Sequence, residues 1–587
     1  MSETSKKRQN ISINAVNHKN IYWPGLDDGM AQLSQEEFRP KILDYNSDIQ
    51  AFVAASGRQH RQHLFGMIRR YQRLRSFSAS VVFPSQIVAA DDVRIDRAIV
   101  TIGDKFLISG ASGSRIIVKL SQATTDGKIK KFEKIAKSFS KNRNMNDLTL
   151  PFASQADRDL DFVIIAKNLF NYYHFTLETL PYLTLYQKYK LTGRIIIHSP
   201  SDKIGSFVHD QVQRFFPEIA DRIYLQFGGL DIPRALVVLD SRFLYYQASD
   251  ECIPSFDHIA PRGWMWRDKV IDKLSHKTLS MNSCSAPLMD IRDKVLKKIK
   301  DLPNTIAESI QNRRLYVSRR PTGRLRPIKN EPEMVEMLDT LGFETIYFED
   351  YNALEQARLV SEASVIVTVH GAGVANMLYA HADCLVIELS SLQIALLRFG
   401  DFNPFAIASK ARYSHFFVDH DWEDQETIPN FAEHSIVGLK ISSNAVDMLR
   451  SIILAHTQPD ELANNLSKCE KMNANEEYEA LNTHLTDNFG HMLHLPDPHV
   501  WAANCATRQG TPKVALEHLV RAAQLAPWRR KLYERTLKLA KRLEASQHFD
   551  EVAFDFFHHM NEDASNFFNL RKWDSARYQL NPPVSEE

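Results

Sequence analysis

The segment from His370 to Asn376 places a histidine, two glycines and an asparagine in seven residues, HGAGVAN. It follows an apolar run, ASVIVTV, that is typical of a buried strand. Glycines at 371 and 373 let the backbone turn tightly and approach a ligand without interference from Cβ atoms. A helix predicted to begin near Val374 points its free N–H groups and positive dipole at the same place. The segment therefore predicts an anion cradle suited to a diphosphate, with His370 as a donor to a phosphate oxygen.

Ala372 is the remaining residue of the HGAG loop. Two further polar side chains are predicted beside this loop. Asn376, one turn into the helix, either fixes the loop or contacts the ligand. Glu388 ends the next apolar run, CLVIEL, at the same edge of the sheet, where a carboxylate can accept hydrogen bonds from ribose hydroxyls. A buried turn with a hydrogen-bonded histidine remains the alternative for the whole segment.

Three other loop types are excluded or disfavoured by the surrounding sequence. An oxyanion hole with an H-G-G-G-like loop needs a downstream G-x-S-x-G nucleophile, and none follows residue 373. The loop also lacks the G-x-x-x-x-G-K-[ST] pattern of a P-loop and the full G-x-G-x-x-G of a dinucleotide fold.

A second group of polar residues lies in RRLYVSRRPTGRLRPIKNE, residues 313–331. Ser318, Arg319 and Arg320 directly follow a predicted strand, and Asn330 and Glu331 open the next helix. Guanidinium groups in this position can bind phosphates through paired hydrogen bonds. The loop converges with HGAG if their strands are near neighbours; otherwise it is a solvated basic loop. Its other basic residues are Arg324, Arg326 and Lys329.

A third group lies in NYYHFTLETLP, after the apolar run DFVIIA. His174 and Glu178 are four residues apart and share one face of a predicted helix that Asn171 caps. A histidine beside a carboxylate can act as a general base near neutral pH, and it can equally be a structural pair. Two D-x-D runs, at 157–161 and 419–421, suit Mg²⁺ or Mn²⁺, but such runs arise often by chance and we predict no metal site.

Alternating strands and helices must position these groups. Apolar runs from about residue 160 and again from Arg313 alternate with helical patterns, which predicts parallel sheets covered on both faces. In such sheets, ligands lie at the carboxyl ends of strands. We therefore predict an α/β fold with two Rossmann-like domains facing a cleft, joined by a crossing segment at 241–260.

The two ends of the chain have different patterns. Residues 1–150 combine short strands with basic segments at 58–75 and 128–143, which are either solvated helices or contacts with an anionic membrane or polymer. The end of the chain resembles one tetratricopeptide unit or forms a plain helical cap. The predicted divisions are an extension, an acceptor domain, a donor domain and a helical tail, at 1–150, 151–260, 261–460 and 490–587.

Composition narrows the class of protein. The 587 residues are 44% hydrophobic and 24% charged with a net charge of +1, so nucleic acid is not an expected partner. Five scattered cysteines without a C-x-x-C pair argue against a disulfide framework or a zinc knuckle. No signal peptide or run of about 20 apolar residues is recognised. We expect a cytoplasmic protein, and leave open a peripheral contact with the inner face of the membrane.

Several of these segments, in their order, resemble glycosyltransferase family 61, often labelled capsular polysaccharide biosynthesis proteins. The resemblance covers roughly residues 160–390 and rests on NYYHFTLETLP, LYVSRRPTGRLRPIKNE, GFETIYFEDYNALEQARLVSEASVIVTVHGAGVANMLY and VIEL. It implies a two-domain GT-B fold, inversion at the anomeric carbon, a nucleotide-sugar donor, and neither a metal nor another cofactor. One departure is Phe175, where family members commonly have Trp after the histidine.

The resemblance implies a hexosyl- or pentosyltransferase that acts on a glycan or lipid-linked glycan acceptor in cell-surface or capsular polysaccharide synthesis. His174 and Glu178 become the candidate catalytic residues on the acceptor side. The candidate donor-binding residues are Ser318, Arg319, Arg320, Asn330, Glu331, His370, Gly371, Ala372, Gly373, Asn376 and Glu388. The alternative is a non-catalytic nucleotide-sugar-binding scaffold in a polysaccharide-assembly complex, with the tail as a site for a protein partner.

Overall fold

The computed structural model describes most of the chain as a mixed α/β structure with two large sheets and a helical C-terminal segment. The described residues are 11–35, 38–125, 129–244, 247, 256, 258–260, 273–301, 312–320, 327–424 and 427–560. The predicted crossing segment 241–260 lies largely outside them.

The strands are β1 (Met30–Gln32), β2 (Lys41–Ile42), β3 (Ile49–Val53), β4 (Val81–Phe83), β5 (Ser85–Asp96), β6 (Ile99–Ile102), β7 (Lys105–Phe106), β8 (Phe162–Ile165), β9 (Ile195–Ser199), β10 (Ile223–Phe227), β11 (Leu230–Asp240), β12 (Ser283–Ser285), β13 (Arg313–Ser318), β14 (Ile328–Lys329), β15 (Glu344–Tyr347), β16 (Ala363–Val369), β17 (Leu385–Ser390), β18 (Arg412–Phe417), β19 (Asp419–His420) and β20 (Leu439–Lys440).

The α-helices are α1 (Arg58–Leu74), α2 (Gly110–Thr125), α3 (Ile129–Met145), α4 (Tyr172–Glu178), α5 (Leu183–Lys188), α6 (Ser206–Phe215), α7 (Ser241–Leu244), α8 (Lys273–Met281), α9 (Ala286–Lys300), α10 (Glu331–Thr340), α11 (Ala353–Ser361), α12 (Leu392–Arg398), α13 (Asn403–Ser409), α14 (Phe431–His434), α15 (Ser443–Thr457), α16 (Pro459–Ala474), α17 (Tyr478–Met492), α18 (Pro496–Arg508), α19 (Pro512–Leu525), α20 (Arg530–Arg542) and α21 (Ser546–Met560).

The first large sheet is half parallel and half antiparallel. Its order is β10-β9-β8-β11-β5-β6-β7, with β1 beside β5. The strands β8 to β11 pair in parallel as predicted, whereas β5 runs antiparallel to β11 and to β6. The two-residue turn between β5 and β6, Arg97 and Ala98, has positive φ at both positions, which is the hairpin geometry that forces antiparallel pairing.

The second large sheet is parallel throughout, in the order β15-β13-β16-β17-β18-β3. Its central strands β16 and β17 are buried on both faces, because helices cover each side. The helix predicted to open at Glu331 is confirmed as α10, and Gly342 follows it with φ +74°, the left-handed conformation usual after a helix C-terminus.

Strands from the first 110 residues belong to both large sheets. β1, β5, β6 and β7 extend the first sheet, and β3 forms an edge of the second. Residues of the predicted N-terminal extension therefore complete the two sheets. The predicted domain boundaries themselves stay a prediction.

The helices of the C-terminal segment stack in sequence, each packing on the next from α16 to α21. The last of them, α21, docks against α1, part of the basic segment 58–75. Arg61 Nη2 lies 2.8 Å from Glu551 Oε1, and Gln62 donates a hydrogen bond to the buried Asp555 carboxyl. The N-terminal turns of α1 are thus held by tail carboxylates, which corrects the expectation of a wholly solvated or membrane-facing helix.

Replacing Asp555 with asparagine is expected to raise the free energy of unfolding by about 1 to 3 kcal/mol at pH 8. Burial raises the pKa of Asp555 to about 6, against the smaller opposing effect of Arg61. The native state then binds the proton more tightly than the unfolded state, so stability falls as the pH rises from about 4 through 6. Chemical denaturation at pH 4 and pH 8 measures the difference.

Asparagine keeps an oxygen that accepts the hydrogen bond from Gln62. The gain in the free energy of unfolding should therefore appear at pH 8, where Asp555 is ionised, and not at pH 4. Glu544→Gln removes an exposed carboxylate just before α21 and serves as the control, with no expected change. A variant Asp555→Asn that is less stable than the wild type at pH 8 contradicts the assignment.

Within the part of the chain that the structure describes, no helix is long and apolar enough to cross a membrane. The four described cysteines, Cys284, Cys384, Cys469 and Cys505, are free thiols and all are buried.

Candidate functional site

Arg319 lies directly against the HGAG loop. The strands β13 and β16 are neighbours, with Val317 opposite Thr368, so their carboxyl ends deliver both loops to one place. Arg319 Nη2 donates a hydrogen bond of 3.1 Å to the carbonyl oxygen of His370. A Cβ atom at position 371 would overlap with the Arg319 guanidinium, so a side chain there would displace the guanidinium from the loop. The convergence predicted from the sequence is confirmed.

The Arg319 guanidinium is half-buried and makes no ion pair with any carboxylate in the described ranges. Burial lowers its pKa, and the charge of Glu349 partly offsets this. An arginine keeps its proton even so. Placing a cation in a partly desolvated position without a partner costs free energy, which an anionic ligand would recover.

His370 is held from behind by a buried network. Its Nδ1 hydrogen-bonds to Glu388, and the other oxygen of Glu388 accepts from the Tyr413 hydroxyl. His415 Nδ1 lies 3.5 Å from the same oxygen. Burial lowers the pKa of His415 to about 4, despite the opposing charge of Glu388, so His415 is neutral near pH 7. The carboxylate charge therefore acts mainly on His370.

This network surrounds Glu388, for which a contact with a ribose is predicted from the sequence. The Glu388 side chain is 3% exposed, and its two oxygens are engaged by His370 and Tyr413. A carboxylate in this position orients the imidazole and fixes its tautomer. The contact with a ribose stays a prediction.

Asn376 fixes the loop through two hydrogen bonds, which agrees with one of the two predicted alternatives for this residue. It is 2% exposed, its Oδ1 accepts from the Tyr172 hydroxyl at 2.5 Å, and its Nδ2 donates to Gln356 Oε1 at 3.0 Å. Tyr172 is the first residue of α4, so this bond ties the loop after β16 to the loop after β8. The carboxyl ends of the two large sheets therefore meet here.

The helix after the glycines is more tightly wound than expected, with three residues per turn. Residues Ala372–Tyr379 form a 3₁₀ helix that begins two residues before Val374. Space for a side chain at Gly373 is limited, because a Cβ atom would lie 3.3 Å from the Phe348 ring. The tight turn packs the loop closely on its neighbours, so the backbone of Ala372 and Gly373 is held in place.

The other residues of the basic loop are held by neighbours within the protein. Glu331 accepts from the hydroxyls of Tyr316 and Ser318 at 2.5 and 2.9 Å. Asn330 precedes α10 with φ +68° and donates to the carbonyl oxygen of Ile441 at 3.2 Å. Three predicted donor residues, Ser318, Asn330 and Glu331, therefore have hydrogen-bond partners within the protein, and their contact with a donor stays a prediction.

Arg320 points away from Arg319. It is exposed, pairs with Asp350 at 2.5 Å and lies over the Tyr347 ring at 4.2 Å. Arg324 and Arg326 lie outside the described residues. Among the described arginines of the loop, Arg319 alone lies against the HGAG segment.

On the acceptor side, His174 and Glu178 share one face of α4 as predicted. Asn171 caps the helix by accepting from the His174 N–H at 3.4 Å. His174 Nδ1 lies 3.3 Å from Glu178 Oε2, yet neither atom makes a well-formed hydrogen bond with another described residue. Burial raises the pKa of Glu178, but His174 and nearby cations outweigh it and lower the pKa overall. The carboxylate is therefore ionised, with a lone pair directed at no donor.

Three cations that sequence analysis missed surround this carboxylate. The charges of Lys167 and Arg242 lower the pKa of Glu178, and Glu178 in turn offsets part of the effect of burial on Arg115. Lys167 and Arg242 follow the strands β8 and β11 within two residues, so the rule of ligands at strand ends could have found them. Arg115 comes from α2, and no sequence signal places it here.

One aromatic cluster connects the two sides of the site. The Phe402 ring lies 5.6 Å from the His370 ring and 5.4 Å from the Tyr173 ring. Tyr173 in turn lies 5.1 Å from the His174 ring. The rings of Phe402 and Tyr173 thus connect the candidate donor-side His370 with the candidate acceptor-side His174.

Aspartates of the D-x-D runs form ion pairs and hydrogen bonds with other residues of the protein. Asp157 caps a 3₁₀ turn and pairs with Arg234 at 2.8 Å, and Asp161 pairs with Arg194 at 2.6 Å. Asp419 accepts from the N–H and hydroxyl of Ser56 at 2.8 Å each. No group of three His, Cys, Asp or Glu residues among the described ones is placed to hold a metal ion.

The fold and site together define an α/β protein with a glycine-rich loop at the strand ends of one sheet and a His–carboxylate pair at those of the other. Residues 172–387, from α4 to β17, match the model of the family described as Glycosyltransferase 61. This part of the chain is therefore similar to the glycosyltransferases of that family, and the match supports a glycosyltransferase activity. No curated protein matches the chain.

Proposed function

We propose that the chain is an inverting, metal-independent glycosyltransferase of GT-B organisation that transfers a hexosyl or pentosyl group from a nucleotide sugar. The acceptor would be a glycan or lipid-linked glycan in cell-surface or capsular polysaccharide synthesis. The observation that carries the proposal is the half-buried Arg319 guanidinium, unpaired with any described carboxylate and pressed against Gly371.

The donor diphosphate would lie between Arg319 and the HGAG loop. Arg319 offers a forked set of N–H donors, and His370, at the end of the neighbouring strand, is the predicted second donor to a phosphate oxygen. Both groups stabilise the negative charge that develops on the leaving nucleoside diphosphate, because they are oriented before the reaction begins. Glu388 keeps His370 in position through Nδ1 and so favours a ring that presents its other nitrogen to the phosphate.

The acceptor hydroxyl would enter beside α4. Inversion needs a base on the face of the sugar opposite the leaving group, and His174 or its partner Glu178 can take the proton as the hydroxyl attacks the anomeric carbon. Lys167 and Arg242 keep Glu178 ionised, so it can support positive charge on the imidazole. The ring of Phe402 and its neighbours exclude water from the space between the two histidines.

A panel of nucleoside diphosphates and nucleotide sugars, measured as shifts in melting temperature, tests the proposal. We expect at least one nucleotide to raise the melting temperature by several degrees, because a ligand that binds only the native state stabilises it. The rise and the subsequent sugar transfer should persist in EDTA, since Arg319 would supply the positive charge that a metal ion otherwise provides.

Complete loss of transfer in EDTA would restore a role for the D-x-D runs. Nucleotide binding without transfer to any glycan would favour the non-catalytic scaffold instead. The tetratricopeptide character of the tail, its use as a site for a protein partner and a cytoplasmic location for the chain remain parts of the proposal drawn from the sequence.

A further inference from the structure

A second pocket lies between the second large sheet and the helical tail. Its volume is about 620 Å³. The edge strand β3 and helix α1 form one side, and α16, α18 and the turn after α19 form the other. None of the candidate donor or acceptor residues lines it. The pocket is therefore separate from the site described above.

Two tryptophans line this pocket. Trp528 is 72% exposed, more than any other large hydrophobic side chain in the described ranges. Its indole N–H has no hydrogen-bond partner among the residues described, and Trp501 lines the same space half-buried. Holding so much indole surface in water is unfavourable, so a ligand that covers the ring would gain free energy.

The polar groups of the pocket carry little net charge. Asp497 and Arg529 pair with each other at 3.2 Å. Burial lowers the pKa of His494 to about 4, so its imidazole is neutral, and its Nδ1 shares a hydrogen bond of 2.8 Å with Ser451. Glu470 and Gln72 are exposed at the rim. This charge pattern complements an uncharged ligand with many hydroxyls and offers no unpaired cation for a nucleotide or polyanion.

We propose that this pocket is a second carbohydrate site that binds a neutral oligosaccharide segment of the acceptor or product glycan. The C–H face of a sugar ring carries slight positive charge and stacks on the negative face of an indole. Carboxylate, amide and guanidinium groups at the rim then meet the ring hydroxyls. The volume lies within the range of about 300 to 1,000 Å³ that is usual for small-ligand sites.

The position of the pocket suits this role. The parallel register places Ala51 of β3 opposite His415, and His415 opposite Glu388. Because neighbouring strands lie about 4.8 Å apart, Ala51 at the pocket wall is roughly 10 Å from Glu388. A glycan held in the pocket would keep its reactive end at high local concentration near the donor site.

Binding of the fluorescently labelled full chain to an array of neutral di- to hexasaccharides tests the proposal, with sialylated and uronate-containing glycans alongside. We expect binding to at least one neutral series, and a loss of at least ten-fold in Trp528→Ala. Gln72→Ala, at the exposed rim, should weaken binding less. Tyr224→Ala removes an exposed aromatic ring on β10, outside the pocket, and should bind as the wild type does.

The inference rests on the glycosyltransferase class and not on the donor-site residues. The nucleotide-induced rise in melting temperature should therefore be unchanged in Trp528→Ala, which separates failure of this proposal from failure of the proposed donor site. Neutral-glycan binding that survives Trp528→Ala, or binding to anionic glycans alone, overturns it. So does self-association in sedimentation that Trp528→Ala abolishes, since a second copy would then cover the pocket.

Discussion

Arg319→Ala should abolish sugar transfer and weaken nucleotide binding by about 100-fold or more, because hydrogen bonds to charged groups contribute about 1.5 to 3 kcal/mol each and arginine can offer two to a diphosphate. The fold should survive, since the one hydrogen bond that Arg319 makes to a described residue is with the carbonyl oxygen of His370. Calorimetric titration with the best nucleotide of the panel measures the affinity, and release of the nucleoside diphosphate measures turnover.

The neighbouring Arg320 provides the matched control. Its guanidinium is exposed and paired with Asp350, so Arg320→Ala should keep nucleotide affinity within about three-fold. Gly371→Ala offers an independent test, because its Cβ would displace the Arg319 guanidinium while leaving the charge in the protein. If Arg319→Ala binds nucleotide as tightly as the wild type, the donor-site assignment is wrong.

His174→Ala is expected to lower kcat by about 10² to 10⁴-fold, the usual contribution of a general base, while nucleotide affinity stays within about three-fold. The reason is the separation of tasks: His174 lies on α4 beside Glu178, and the donor-side contacts come from β13 and β16. Glu178→Gln should lower kcat less if Glu178 acts through the imidazole and more if it takes the proton itself.

Single-turnover rates with saturating donor separate this effect from binding. The matched control is His209→Ala, an exposed histidine on α6 with no role at the strand ends. Undiminished turnover in His174→Ala would remove it as the base. Equal losses of affinity in His174→Ala and Arg319→Ala would mean that α4 contacts the donor instead of the acceptor.

Local sequence patterns were enough to predict the second sheet and the meeting of its two loops. The runs RRLYVS, SVIVTV and CLVIEL alternate with helices of ordinary length, and parallel strands joined by such helices end at the same edge. Arg319 and His370 each follow one of these strands. Once β13 and β16 are taken as neighbouring strands, the proximity of the two residues follows.

Pairings between distant parts of the chain could not be predicted in this way. β3 lies beside β18, and α21 beside α1, although hundreds of residues separate the partners. The hydrogen bond between Tyr413 and Glu388 could not be predicted for the same reason. Tyr413 comes from β18, and nothing in the local pattern shows that β18 adds next to β17.

The overlap that a side chain at position 371 would make with Arg319 also predicts that the two positions evolve together. A mutation that gives position 371 a side chain removes the benefit of the arginine, and loss of the arginine removes the need for the glycine. The two positions should therefore be kept or lost as a pair through evolution. A descendant that has abandoned catalysis should show both changed together.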